Sequence, residues 1–296
     1  MMAKEDDLPV VRVAEATGEA AERLRQAGVG EARREALSLL ADVISRDQTF
    51  LLTHPEHAIA PAALKRFRAV VERRAKGEPQ QYIRGRQEFF GLEFEVTPAV
   101  LIPRPETELL VETALELLDA TKGVLPALVC DVGTGSGCIA VTILHEEARA
   151  RATGLDISHA ALRVAARNAS RHGVAARLDL VAADCFAALD AARARFSLIV
   201  SNPPYVAEEA LVGLQREVRC FEPRVALTPG GDGLRIIRKL LTQAPRLLLP
   251  GGHLLMEIGF DQGAAVERLI DRRAWQLLDI HKDLQGIPRT VALRKT

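Results

Sequence analysis

Two short runs of this 296-residue chain carry residue types that chemistry needs at spacings that chemistry can use. The first is Asp131-Val132-Gly133-Thr134-Gly135-Ser136-Gly137. Glycines in this pattern let a backbone turn tightly and come close to a ligand, and a helix starting just after them presents free N–H groups. Asp156 follows at the end of the next strand-like run, where a carboxylate accepts from both hydroxyls of a ribose. Loop and acid fit any adenosine-containing cofactor. Gly135, Gly137 and Ala140 also satisfy the loose fingerprint G-x-G-x-x-A, so a nicotinamide cofactor and S-adenosylmethionine both remain open at this point. The second run is Asn202-Pro203-Pro204-Tyr205. Chance occurrence of this tetrapeptide in a chain of this length is on the order of one in a thousand, which favours a functional reading. The proline pair removes two backbone donors and fixes two φ angles, so carbonyls point in a set direction while the Asn202 side chain adds an acceptor. Such a site is built to receive an NH₂ group.

The elements that must hold these runs are legible in outline. From Ala127 onward, strand and helix patterns alternate: LVCDV, a helix from Gly137, TGLDI, a helix from Ser158, LDLVAAD, FSLIVSN, a helix from Gly233 and HLLMEIG. Apolar strands without polar alternation indicate a parallel sheet covered on both faces. Trp275 to Ile280 and Arg289 to Leu293 read as two further strands without a crossover helix, hence antiparallel. The expected fold is α/β: a doubly wound, mostly parallel sheet of seven strands ending in an antiparallel hairpin. Both chemical runs then fall at the carboxyl ends of strands, where such sheets bind ligands.

Upstream, Val11 to Lys76 reads as helices, with Leu37, Leu40, Ala41 and Ile44 at helical spacing. The last of them is basic, carrying Lys65, Arg66, Arg68, Arg73, Arg74 and Lys76 against Glu72. It is either a solvated face or a docking surface to which Arg66, Arg73 and Arg74 contribute. Gln87 to Ile102 has the texture of a β-hairpin around Gly91. Pro103 and Pro105 mark the entry to a helix whose first turn suits Glu106, Thr107 and Glu108 as capping residues. The expected domains are a helical substrate-recognition domain over 1–85, a hairpin linker over 86–102 and a catalytic domain over 103–296.

Composition excludes several classes. The 39 basic and 39 acidic side chains cancel, so no global field holds the chain on a nucleic-acid backbone or an anionic membrane. No apolar run approaches a bilayer span. Glu5, Asp6 and Asp7 stand where a secretory signal would be basic and then apolar, so a cytoplasmic protein is expected. The four cysteines, Cys130, Cys138, Cys185 and Cys220, form no C-x-x-C pair, and reduced thiols follow. His54 and His57 have metal-ligand spacing, but Pro55 breaks the segment and a solvated loop explains them equally well; no metal is expected.

With these residues in hand the chain resembles the class I S-adenosylmethionine methyltransferases that act on planar nitrogens. Gln81-Tyr82-Ile83-Arg84-Gly85, the hairpin with Phe89 and Phe90, Leu101-Ile102-Pro103-Arg104-Pro105-Glu106-Thr107-Glu108, Phe221-Glu222-Pro223-Arg224, Gly231-Asp232-Gly233 and Gly286-Ile287-Pro288-Arg289 narrow the resemblance. They are similar to the glutamine N5-methyltransferases of peptide chain release factors. The resemblance implies S-adenosylmethionine as cofactor, with its methionine part over Gly133, Thr134, Gly135, Ser136 and Gly137, its ribose on Asp156, its adenine beside Asp184 and Cys185, and Asn202 bordering both ligands. Where relatives can carry an aromatic stacking residue this chain has Cys185; Phe186 either compensates or belongs to the core. The implied substrate is the glutamine of a Gly-Gly-Gln loop in class I release factors, oriented by Asn202 and Pro203, with Pro204 and Tyr205 shaping the slot. Tyr205 alternatively serves the core. Methylation of a ribosomal protein glutamine and of adenine N6 in DNA or RNA are the alternatives, and the neutral charge and few aromatics weigh against a nucleic-acid substrate. Neither a membrane nor direct nucleic-acid binding is expected. A non-catalytic adaptor and a dehydrogenase fit less well, the first because Asn202 and the glycine loop are intact, the second because no acid and base pair accompanies the loop.

Overall fold

The computed structural model describes residues 10–120, 127–192 and 195–296; Glu5, Asp6 and Asp7 lie outside them. The chain divides into two compact units, one of Met1–Gly85 together with Arg216–Phe221, the other of Arg86–Gln215 and Glu222–Thr296.

In the first unit α1 (Val13–Gln26), α2 (Ala32–Ile44), α3 (Gln48–Thr53), α4 (Pro61–Ala75) and α5 (Gln80–Arg84) follow one another. Helical spacing turns Leu24, Leu39, Leu40, Leu51 and Phe67 inward as fully buried side chains, each contributing about 1.5–3 kcal/mol of burial. Pro61 opens α4 at the position where a missing N–H costs nothing. Much of the charge on α4 is paired. Glu72 accepts from Arg23 of α1 at 2.8 and 2.9 Å, Arg68 lies 3.3 Å from Glu19 and Arg73 donates to Glu78 at 2.8 Å. Lys65 and Arg66 are exposed. His54 stacks on Phe50 with centroids 4.4 Å apart. Among the described residues no group of three or more His, Cys, Asp or Glu side chains could hold a metal ion.

In the second unit β1 (Arg86–Phe89) and β2 (Leu92–Glu95) pair antiparallel through the turn Phe90-Gly91, both at positive φ as hairpin twist favours. Phe89 and Phe94 are buried among Leu110, Val129 and Ile143, which makes the hairpin part of this unit's core. After α6 (Glu108–Ala120) come β3 (Leu128–Val132), α7 (Cys138–Glu146), β4 (Arg151–Asp156), α8 (His159–Arg171), β5 (Leu178–Ala182) and β6 (Phe196–Ser201). The segment α9 (Arg216–Phe221) groups with the first unit. Its Glu217 lies 2.9 Å from Arg74, which also donates to Glu35 at 3.1 Å and is 8% exposed. Arg74 is therefore removed from any docking face, because a guanidinium desolvated between two carboxylates is committed to the fold.

The chain then forms α10 (Arg224–Leu227), α11 (Arg235–Gln243), β7 (Leu248–Glu257), α12 (Gly263–Leu269), β8 (Trp275–Lys282) and β9 (Pro288–Lys295). Strands β3 to β9 make one sheet in the order β5-β4-β3-β6-β7-β9-β8, parallel from β5 through β7 and antiparallel thereafter. This is the doubly wound α/β architecture expected. The last strand, β9, folds back between β7 and β8, an insertion that the missing crossover helix left undetermined. Along β6, Leu198 and Val200 enter one core cluster and Ile199 the other. Successive side chains of a strand point to opposite faces, so a strand buried on both faces reads as one apolar run. Among the described residues no helix is long and apolar enough to cross a membrane.

Candidate active site

The sheet order reverses between β3 and β6, which lie side by side with Asp131 opposite Val200. Chains leaving neighbouring parallel strands toward opposite sides open a crevice at their carboxyl ends. Ser201 pins the two strand ends together by donating from Oγ to the Val132 carbonyl at 2.7 Å. The glycine loop leaves β3, and Asn202-Pro203-Pro204-Tyr205 leaves β6, so both runs meet at one crevice. It contains a cavity of about 220 Å³. Every residue singled out above as a site residue borders this cavity except Gly137 and Tyr205.

The loop side is arranged by the main chain. Gly133 and Thr134 donate backbone N–H bonds to the Leu155 carbonyl at 2.8 and 2.9 Å. Asp156 accepts from the Gly135 N–H at 2.9 Å and from the Ser158 N–H at 2.8 Å. A carboxylate has about four acceptor positions, so Asp156 keeps capacity for ligand hydroxyls. Burial raises its pKa while those backbone donors oppose the rise. Beneath the loop, Thr134 donates to Asp131 at 2.6 Å, and burial pushes the Asp131 carboxyl up to about 7. Gly137 acts in packing. It sits at φ +81°, and a Cβ there would lie 3.2 Å from the Cβ of Ala165, so the residue lets α7 and α8 approach.

At the far end of the crevice, Asp184 is held by Lys239 at 2.7 Å, and that bond lowers its pKa. Cys185 lines the cavity at φ 52°, with its thiol pushed up to about 11 by burial. Phe186 belongs to the core beside Ile199 and Leu240. Ile157 and Val225, 59% and 55% exposed, supply apolar walls instead.

The other side is arranged by side chains. The Asn202 amide donates from Nδ2 to Thr107 Oγ1 at 2.9 Å, and Thr107 donates onward to Glu257 Oε2 at 2.6 Å. Tyr205 donates its hydroxyl to the other oxygen of Glu257 at 3.2 Å. Its phenol pKa is raised by burial and by that carboxylate. Burial raises the Glu257 pKa, while the Thr107 and Tyr205 donors and Arg289 oppose the rise. The Tyr205 carbonyl accepts from Gln262 at 2.9 Å, and a Cβ on Gly233 would stand 2.2 Å from that carbonyl oxygen. Only glycine fits there, which accounts for Gly233 in the Gly231-Asp232-Gly233 run.

Sequence reasoning missed four contributors. Thr107, expected as a capping residue, instead places its hydroxyl between Asn202 and Glu257. Glu257 was hidden in an apolar strand, where a lone acid at the carboxyl edge was the available signal. Asn168, fully buried, ties the hairpin to the loop: it accepts from the Glu95 N–H at 2.7 Å and donates to the Ser136 carbonyl at 2.8 Å. Glu222, buried, accepts from the Ile102 N–H at 3.2 Å and pairs with Arg104, which borders the cavity.

Comparison with known proteins agrees with this geometry. Residues 15–85 match the family described as PrmC N-terminal domain, and residues 106–232 match the methyltransferase small domain. A release factor glutamine methyltransferase of Cereibacter sphaeroides is 44% identical over 96% of this chain and 99% of its own length. One from Moorella thermoacetica is 48% identical over 86% of this chain and 88% of its own. Among solved structures, the hMettl16 catalytic domain in complex with a MAT2A 3′UTR hairpin covers 88% of this chain and 90% of its own at 14% identity and a TM-score of 0.57, a likeness of fold alone. Identity at this level across nearly the whole length, joined to both domain matches, means that the chain belongs to the release factor glutamine methyltransferase family.

Proposed function

We propose that this site methylates the side-chain amide nitrogen (N5) of the glutamine in the Gly-Gly-Gln loop of a class I peptide chain release factor, using S-adenosylmethionine. The observation that carries the reading is the state of Asn202. One N–H of its amide donates to Thr107, which turns Nδ2 toward Thr107 and leaves Oδ1 as the acceptor for a ligand, next in sequence to the Pro203 carbonyl and two prolines that carry no N–H.

An amide nitrogen is a poor nucleophile because its lone pair is delocalised into the carbonyl. Hydrogen bonds from the substrate NH₂ to Asn202 Oδ1 and to the Pro203 carbonyl orient the nitrogen and stabilise positive charge on it as the new bond forms. When bound, S-adenosylmethionine supplies an electrophilic methyl on a sulfonium. The residues suited to hold it are the loop Gly133 to Ser136, Asp156 for the ribose hydroxyls, and the crevice between Ile157 and Val225, with Asp184 and Cys185 at its end, for the adenine. Pro204 and Tyr205 fix the wall on which the acceptor amide lies, Tyr205 from behind through Glu257. The helical domain over 1–85 is the module for recognising a folded substrate, since the catalytic fold over 103–296 with its hairpin is otherwise complete. A release factor substrate places the reaction in the cytoplasm.

The test is to incubate the protein with methyl-labelled S-adenosylmethionine and, separately, a class I release factor, ribosomal protein and unmethylated DNA or RNA. Label is expected on the release factor, localised by mass spectrometry to the Gly-Gly-Gln glutamine. Label on nucleic acid, or on the ribosomal protein alone, overturns the assignment.

A further inference from the structure

A carboxamide presents an acceptor on one side and a donor on the other, and the two orientations are nearly equal in shape. For a substrate NH₂ only one is useful. If Asn202 turned over, it would set its own NH₂ against the substrate's, losing the acceptor and opposing two donors. Something must therefore choose the orientation, and Asn202 carries no such choice within its own tetrapeptide.

The choice is made through Thr107. Its hydroxyl has one proton and lone pairs that accept. The proton goes to Glu257 Oε2, 2.6 Å away, since a carboxylate can only accept. The Thr107 oxygen therefore has only lone pairs to offer Asn202, 2.9 Å away, and takes Nδ2 rather than Oδ1. Tyr205 donates to the second Glu257 oxygen, so both oxygens of this fully buried carboxyl receive a hydroxyl proton. Resting on the reading of Asn202 as the acceptor for the substrate amide, we propose that Thr107 and Glu257 are positioning residues that lock Asn202 with Oδ1 toward the substrate, through the directed chain Asn202 Nδ2–H to Thr107 Oγ1–H to Glu257.

The experiment measures kcat on a release factor at saturating cofactor, with cofactor affinity by calorimetry and folding by circular dichroism. Thr107→Val keeps the shape of threonine and removes the hydroxyl; Thr107→Ala is the second variant should valine strain the turn. Each is expected to lower kcat by about tenfold to a hundredfold, the scale of one lost buried hydrogen bond, with cofactor affinity unchanged. Thr107→Ser, which keeps the hydroxyl, is expected to recover most of that loss. In an Asn202→Ala background Thr107→Val is expected to add nothing, because the lock has no amide left to hold; a purely structural role would lower kcat equally in both backgrounds. If Asn202→Ala is impaired while folded Thr107→Val and Thr107→Ala turn over at the wild-type rate, the lock is wrong and the acceptor reading stands. If Asn202→Ala itself keeps full turnover, the acceptor reading fails and the lock with it.

Discussion

The two sides of the crevice are held by different means. On the β3 side the glycine loop is positioned by its own main chain and by Asp156, through bonds from the N–H groups of Gly133, Thr134 and Gly135. On the β6 side the decisive contacts are between side chains far apart in sequence: Asn202 to Thr107 across 95 positions, Thr107 to Glu257 across 150, and Tyr205 to Glu257 across 52. The first arrangement suits a ligand grasped alike before and during reaction. The second suits a group whose orientation matters most as charge develops, since such a network adds direction to contact. The contrast predicts that substitutions on one side act on affinity and on the other act on turnover.

Asn202→Ala should produce the largest effect, lowering kcat by roughly a hundredfold to a thousandfold, as loss of one group bonding in the transition state does. Its cofactor affinity should stay near wild type in calorimetry. Asp156→Ala should do the reverse, weakening cofactor affinity by about tenfold to a hundredfold through the loss of hydrogen bonds to a charged group. Once the variant is saturated, kcat should change less, because the contact exists in ground and transition states alike. Were Asn202→Ala to weaken cofactor binding as much as Asp156→Ala, the division of the crevice would collapse.

The same contrast accounts for what was legible in the sequence. The glycine loop is local: five consecutive residues, Gly133 to Gly137, between β3 and α7 contain the turn, the approach and the helix start. The strands of the sheet were legible because burial on both faces leaves short uninterrupted apolar runs such as Leu198-Ile199-Val200. Thr107 was not, because threonine at a helix entry has a sufficient local explanation in capping and its partner stands 150 positions away. Arg74 misled for the same reason. A cation in a basic helical run is ordinarily solvated, and only the arrival of Glu35 and Glu217 buries it. Local chemistry is readable; a pairing made by tertiary folding leaves only a residue that looks ordinary in its neighbourhood.

A smaller effect separates the loop's packing from its ligand contact. Gly137 does not border the cavity, yet Gly137→Ala places a Cβ 3.2 Å from the Cβ of Ala165 at φ +81°. A left-handed conformation costs a residue with a Cβ about 1–2 kcal/mol. Thermal unfolding of the variant should fall by about 2–4 °C per kcal/mol for a unit of this size, while kcat per folded molecule stays near wild type. A variant of unchanged melting temperature but lost cofactor binding would move Gly137 from packing to the ligand.

The smallest effect is expected outside both sides of the crevice, on the helical unit. Of the basic residues of α4, Arg74 is buried and Arg73 and Arg68 are engaged in ion pairs, which leaves Lys65 and Arg66 as exposed cations for meeting a partner. Exposed charges steer encounter more than they hold a complex, and their reach shrinks from about 30 Å at 0.01 M ionic strength to about 8 Å at 0.15 M. The double reversal Lys65→Glu with Arg66→Glu should therefore lower kcat/KM on an intact release factor by about threefold to tenfold at low salt, and the deficit should fade as salt rises. Turnover of a short Gly-Gly-Gln peptide should not change, since the peptide reaches only the crevice. Arg74→Ala offers the contrast: leaving Glu35 and Glu217 without their cation should destabilise the helical unit in calorimetry with no such salt dependence. A reversal at Lys65 and Arg66 that left kcat/KM on the intact substrate untouched at every salt concentration would exclude this face from docking and confine the unit's contribution to uncharged contacts.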